Sequence, residues 1–344
     1  MLQRPICGAI SNAKGKVSVR QGQPTSIPLK AVFRAEICAA RLEGALRADA
    51  DLAAYWRGVA GVQEACASAW LEDLSIRPDQ LLCRDFRDRV GDPDRDRAAA
   101  SASAILRGLH APGDLLSETE AVLARLWSLA AGPLAEPLQG CDRDAVRAAL
   151  REAESPILGG LAVARIVAEA SRGQAPAVER LAFVAADHAL RGSGRFMLGE
   201  APPHELVAAP RGRWVVQPAL ALVDNGFRLW SVTREDRIEE LITGLTRSLE
   251  RGLGSLPVLR RWLEELRRIR AAAHGASRMP DFLDLLLVRP ILSAPTVVER
   301  LQVTPRGAQK LIEQAASHGM IANVTPRQTY RAWAAAPFAR LLRG

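Results

Sequence analysis

Residues 293–333 read SAPTVVERLQVTPRGAQKLIEQAASHGMIANVTPRQTYRAW, and the punctuation of this stretch decides the fold. Ser293, with Pro295 in the turn that follows, opens a short helix carrying Val297, Val298 and Leu301. Val303 and Thr304 make a tight turn, with Thr304 as N-cap and Pro305 at the first helical position, where a missing N–H costs nothing. The helix so opened runs to about His318, with Ala308, Leu311, Ile312 and Ala315 on one side at helical spacing. Gly319 closes it, because the residue after a helix commonly turns left-handed and glycine does so at least cost. Met320–Val324 then reads as a strand, Thr325-Pro326-Arg327-Gln328 as a turn, and Thr329–Ala334 as a second strand with Tyr330 and Trp333.

Just upstream, Asp281–Arg289 reads as a helix presenting Phe282, Leu285, Leu286 and Val288, and Pro290 ends it. Helix, helix, turn, helix, glycine, strand, basic turn, strand is the order of a winged helix-turn-helix, expected over 279–336. Two helices crossing sharply need small or apolar side chains at the crossing, which Val303 and Ala308 supply. With Ala308, Leu311, Ile312 and Ala315 inside, the opposite face shows Arg306, Gln309, Lys310 and Glu313. Arg and Gln can pair bidentately with guanine and adenine edges in the major groove, while Lys310 suits a phosphate. Arg327, Gln328 and Arg331 lie where a wing touches the sugar–phosphate backbone or the minor groove. The expected DNA-binding set is therefore Thr304, Arg306, Gln309, Lys310, Arg327, Gln328 and Arg331, and the expected partner is double-stranded DNA, with a homodimer as an option. A domain of this shape can also serve protein contacts or act as a spacer.

Charge is distributed to match. The 344 residues carry a formal +8. Residues 1–34 hold Arg4, Lys14, Lys16, Arg20, Lys30 and Arg34 with no acid, and 260–280 hold six arginines against Glu264 and Glu265. Positive charge sits at the two ends, where it can face a polyanion, and 35–259 is net acidic. The arginine run from Arg260 to Arg270 is open to two readings, a solvated helix face or extra phosphate contacts. Five scattered cysteines without a CxxC pair exclude a disulfide framework or a zinc site. No apolar run approaches the roughly 18 residues of a membrane span. The N-terminus lacks the charged-then-apolar order of a signal peptide, so the expected compartment is the cytoplasm.

The rest of the chain is rich in Ala, Leu and Arg and poor in tyrosine, which favours helix. Residues 1–30 read as a flexible basic arm and 31–273 as a helical domain. Its expected helices run over 31–51, 52–73, 97–108, 117–131, 142–154, 156–171, 175–191, 218–229, 234–252 and 257–273, with a long surface loop at 192–213. Ser117 with Glu120 has capping-box spacing, and Asp142 can cap the helix after it. His274–Met279 reads as the linker. The fold class is mainly α: a multi-helical domain followed by the winged helix-turn-helix.

Two resemblances bear on this reading. The segment Met279–Trp333 looks like the helix-turn-helix domain of an alphaproteobacterial family typical of rhizobial plasmids, in which it follows an N-terminal region of unknown function. The motifs are Arg289-Pro290-Ile291-Leu292-Ser293, Leu301-Gln302-Val303-Thr304-Pro305 and Tyr330-Arg331-Ala332-Trp333. Glu64-Ala65-Cys66-Ala67-Ser68-Ala69-Trp70-Leu71-Glu72-Asp73 resembles the same family. The likeness implies DNA binding, hence transcriptional regulation or control of a mobile element. More distantly, the layout is similar to Fic proteins, helical nucleotidyl-transferases that often end in a winged helix. Ser68 and Glu72 have the spacing of the Fic inhibitory helix, with Asp73 where Gly or Asn is usual, and 156–171 with 175–191 stand where the core helices would. Fic chemistry needs a histidine base, an acidic metal ligand and a Gly-Asn-Gly-Arg nest. This chain reads Arg172-Gly173-Gln174-Ala175-Pro176-Ala177-Val178-Glu179-Arg180 there, with no histidine before it. That resemblance implies a scaffold and no activity, with no cofactor and no metal.

Asp187-His188 followed by Gly192-Ser193-Gly194-Arg195 invites a catalytic reading, with His as base and the glycines as a phosphate nest. A helix end with a cation and a glycine stop accounts for it equally well. The histidines show no HxxxH or HExxH spacing, and Trp56, Trp70, Trp127, Trp214, Trp230 and Trp262, too widely spaced for a base-stacking platform, are expected in the core or at helix contacts.

Overall fold

The computed structural model describes residues 28–83, 93–196, 214–224, 237–275, 277–325 and 331–342. Among them the architecture is mainly helical, with one small antiparallel sheet near the C-terminus. The helices of the body are α1 (Leu29–Arg47), α2 (Ala50–Trp70), α3 (Pro78–Leu82), α4 (Pro93–His110), α5 (Thr119–Ala131), α6 (Arg143–Glu152), α7 (Pro156–Ser171), α8 (Pro176–Gly192), α9 (Pro218–Asp224) and α10 (Ile238–Ala272). The C-terminal region adds α11 (Met279–Val288), β1 (Ile291–Ser293), α12 (Ala294–Leu301), α13 (Pro305–Ser317), β2 (Ile321–Asn323), β3 (Ala332–Ala335) and α14 (Ala336–Leu341). No helix among the described residues is long and apolar enough to cross a membrane.

The body is built around α7 and α8, joined by the turn at 172–175. Gly159 and Gly160 let them close: a Cβ on Gly160 would stand 2.2 Å from the Phe183 ring, and one on Gly159 would stand 2.4 Å from Leu190. Buried charge then fixes α8 to its neighbours. The Arg191 guanidinium donates to Asp187 at 2.8 Å, Glu36 at 3.0 Å and Glu43 at 3.4 Å, tying α8 to α1. Glu36 also accepts from the Ile157 N–H at 2.7 Å, capping α7 from a distance. On α2, the Glu64 carboxylate accepts the N–H groups of Ala219 and Leu220 and so holds the start of α9. Of the tryptophans expected in the core or at helix contacts, Trp56, Trp127, Trp214 and Trp262 are buried and Trp70 is half-buried, while Trp230 lies outside the described residues.

Several boundaries differ from the sequence expectation, each for a local reason. α1 begins at Leu29, two residues before the expected start at Ala31. The break between the first two helices falls at Ala48–Asp49, because the Asp49 side chain accepts from the Leu52 N–H at 3.1 Å. Ser117 does not cap α5. Its hydroxyl donates to Asp114 at 2.8 Å, and the helix starts at Thr119 without a side-chain cap. Asp142 does cap α6, accepting from Asp144 and Ala145. The two helices expected over 234–252 and 257–273 are one, α10, which passes through Pro257 unbroken. Most of the expected loop at 192–213, the end of the expected helix over 218–229 and most of the basic arm lie outside the described residues.

Candidate nucleic-acid interface

The C-terminal region is assembled from its caps outward. Ser293 accepts from the Thr296 N–H at 3.3 Å and opens α12. Gln302 ends it in left-handed backbone, φ 52°. Thr304 then accepts from the Gly307 N–H at 3.1 Å and opens α13, with Pro305 at its first position. Three residues thus separate the two helices. Ala308, Leu311, Ile312 and Ala315 are buried, which fixes the rotation of α13 about its axis. Gly319 has φ 68°, and the Met320 N–H reaches back to the Ala315 carbonyl at 2.9 Å, the six-to-one bond of a Schellman end.

Since one side of α13 is buried, the other is presented to solvent. Arg306, Gln309, Lys310 and Glu313 are exposed. Gln309 donates to Glu313 at 2.8 Å, which holds its amide along the helix. Arg306 and Lys310 form no ion pair among the described residues, so their charge is uncompensated locally.

The wing sheet has three strands in the order β1–β3–β2. β3 pairs antiparallel with both others: Leu292 faces Trp333 on one side, and Asn323 faces the same tryptophan on the other. The expected second strand, Thr329–Ala334, is displaced to Ala332–Ala335 within the described residues. Beyond β2 the chain enters the wing through an Asx turn, in which Asn323 accepts from the Thr325 N–H at 2.9 Å. Arg331 is exposed at the return. Arg327 and Gln328, the other two wing residues, lie outside the described residues.

The region is not a free appendage. α11 packs on α2, where Gly58 admits the Val288 carbonyl and the Pro290 ring: a Cβ there would stand 3.1 and 3.3 Å from them. The Trp262 indole of α10 donates to the Met320 carbonyl at 3.1 Å, at the mouth of β2. Four arginines of the 260–280 run are consumed in this docking or in local pairs. Arg267 binds Asp49 and Asp51, Arg270 binds Asp284, Arg268 pairs with Glu265, and Arg278 with Asp281. Arg260 and Arg261, in contrast, are exposed and without ion pairs among the described residues. A further cation went unnoticed in the sequence: Arg300 on α12 is exposed and has no ion pair among the described residues. Its neighbour Glu299 masks it in a charge count, and only its place on the helix before the turn could have singled it out.

The other constellations resolve structurally. Asp187 is fully buried against Arg191, and Arg195 donates to the carbonyls of Leu150, Arg151 and Ala153, closing the end of α6. Ser68 and Glu72 converge on one buried guanidinium: Arg180 donates to Ser68 Oγ at 2.9 Å and to Glu72 at 2.6 Å.

Residues 279–335 match a family model described as an HTH DNA binding domain. Caps, buried stripe, glycine stop and three-stranded sheet agree with that match, and together they define the class: a DNA-binding helix-turn-helix domain, with the small sheet of a winged helix, at the C-terminal end of a helical body. No curated protein matches the chain.

Proposed function

We propose that this chain is a transcriptional regulator or a control protein of a mobile element, in which residues 31–273 form a helical domain and 279–336 the DNA-reading domain packed on it. The observation that carries the reading is the exposed Arg306–Gln309–Lys310 face of α13, on a helix whose opposite side is buried. In a groove, Arg306 and Gln309 read base edges, Lys310 meets a phosphate, and Thr304 holds the helix start against the backbone. Arg300 from the preceding helix and Arg331, with Arg327 and Gln328, from the wing add backbone contacts. A cytoplasmic location follows from this role.

The test is fluorescence anisotropy of the full chain on duplexes enriched from a random-sequence pool, across a salt series. The full chain is used because α11 and the wing sheet lean on α2 and α10. Arg306→Ala is expected to cost about 1–3 kcal/mol and to relax sequence preference at one position. Lys310→Ala is expected to weaken all duplexes alike and to reduce the salt slope by about one. Binding that ignores both substitutions would remove α13 from the interface.

A second reading, a Fic-like nucleotidyl-transferase scaffold, rests on the convergence of Ser68 and Glu72 on Arg180. The histidine that such chemistry requires is missing from the sequence at the corresponding place. Transfer of labelled AMP to the protein itself or to a lysate is expected to be absent, and clear labelling would restore the enzyme reading.

A further inference from the structure

A cavity of about 600 Å³ lies where α2, α9 and α10 meet α14, the helix that leaves the wing sheet. Its volume falls in the range of small-molecule sites, and it sits between the body and the DNA-binding region, where such sites concentrate. The walls are mainly apolar: Trp56 and Val59 from α2, Leu220 from α9, Val258 and Leu259 from α10, Pro337 from α14.

Two polar groups in the lining have no hydrogen-bond or ion-pair partner among the described residues, Gln63 and Arg340. Arg340 is exposed at the rim. The Tyr55 hydroxyl is buried beside the Phe338 backbone and is closed to the cavity. The remaining polar side chains are already engaged: Gln217 with Ala60 and Ser248, Ser255 with Gly252, Arg251 with Asp224. Apolar walls, an aromatic face and one uncompensated cation at the mouth select a small apolar molecule with a single anionic group.

The cavity also touches what would have to respond. Tyr55 packs on Trp262 with ring centroids 4.8 Å apart, and Trp262 holds the Met320 carbonyl at the end of the α13 turn. On the other wall, α14 follows β3 directly, and its first N–H, that of Ala336, also bonds the Met320 carbonyl. We infer that this cavity is an effector site for a small apolar anion, and that its occupancy alters DNA affinity through Met320. The second half rests on the DNA-binding reading; the first does not.

The probe is 8-anilinonaphthalene-1-sulfonate, an aromatic anion, titrated into the full chain with dye and tryptophan fluorescence read together. One saturable site is expected. Ser255→Phe, which fills the cavity from α10, is expected to weaken the dye about tenfold, or about 1.4 kcal/mol, with an unchanged melting temperature. Val258→Trp makes the same test from the same wall if that variant does not fold. Arg340→Ala is expected to weaken the sulfonate dye but not uncharged N-phenyl-1-naphthylamine. Phe33→Ser, on the exposed stripe of α1, is expected to change neither. Unchanged dye affinity in the folded cavity variants, or loss of binding in Phe33→Ser, places the dye elsewhere and overturns the site. With the site saturated, duplex affinity is expected to shift; no shift overturns the coupling. If the chain binds no duplex at all, the DNA reading fails while the titration still decides the site.

Discussion

Gln302 stands at φ 52°, ψ 44°, where the Cβ of any residue other than glycine crowds its own carbonyl. The backbone must turn left there for Val303 and Thr304 to redirect the chain into α13. Its side chain recovers part of the cost by donating to the Glu299 carbonyl at 2.6 Å, one of the last acceptors of α12. Gln302→Gly relieves the crowding and forfeits that bond. The expected net is a gain of about 0.5–1 kcal/mol in urea unfolding, with DNA affinity unchanged because Gln302 is not on the outward face of α13. A loss of stability would mean that the Gln302–Glu299 bond outweighs the strain. Residues of this kind divide sharply in how well the sequence reveals them. Ser293, Thr304 and Gly319 act on backbone within five residues of themselves, so their roles could be read directly. Gln302 occupies a position usually marked by glycine, and Ser117 had the right spacing but found Asp114 a nearer partner.

Among the elements, α10 shows how burial overrides local punctuation. Gly252, Gly254 and Pro257 signal a stop, yet Leu256, Leu259, Trp262, Leu263 and Leu266 continue the buried stripe begun by Leu241 and Leu245. That stripe spans the body and the wing sheet, so breaking the helix would expose one or the other. Pro257 leaves the Leu253 carbonyl without its helical donor and presses its ring on the preceding turn. Because Pro257 is exposed, its removal disturbs no packing. Pro257→Ala is expected to stabilise the chain by about 1–3 kcal/mol, seen as a higher urea midpoint at constant slope; an unchanged midpoint would show that α10 has already absorbed the proline by bending. The opposite case is β1, three residues whose strand character comes from pairing with β3, not from their own pattern. An amphipathic helix announces itself over several turns, whereas a three-residue strand has no period to read. The α13 helix and the strands β2 and β3 were therefore legible, and the third strand, β1, was not.

At the scale of the molecule, one apolar core runs through both parts, and polar contacts between residues distant in sequence fix how the parts meet, which no local pattern encodes. The 260–280 arginines are open in sequence to two readings; in the fold Arg267 and Arg270 pair with Asp49, Asp51 and Asp284 and fasten α10 to α2 and α11, while Arg268 and Arg278 pair within their own turns. Glu64 is the internal counterpart. It is buried on α2, its carboxylate accepts the Ala219 and Leu220 N–H groups at 2.7 and 3.0 Å, and it thereby fixes the α9 wall of the cavity. Burial pushes its carboxyl up to about 7, against the pull of those two donors and of Arg180. An acid raised in the folded state contributes stability that is fully present below its unfolded value near 4.5 and lost as pH rises through about 7. Glu64→Gln keeps an acceptor for one of the two α9 amides and cannot titrate; the loss of the second bond lowers its stability alike at every pH. Between pH 4.5 and 8 the native chain is expected to lose about 3 kcal/mol more stability than the variant, measured as the difference between their urea unfolding curves so that titration common to both cancels. Parallel pH profiles would mean that the two amides and Arg180 hold Glu64 ionised throughout, and that α9 is anchored by a permanent buried charge.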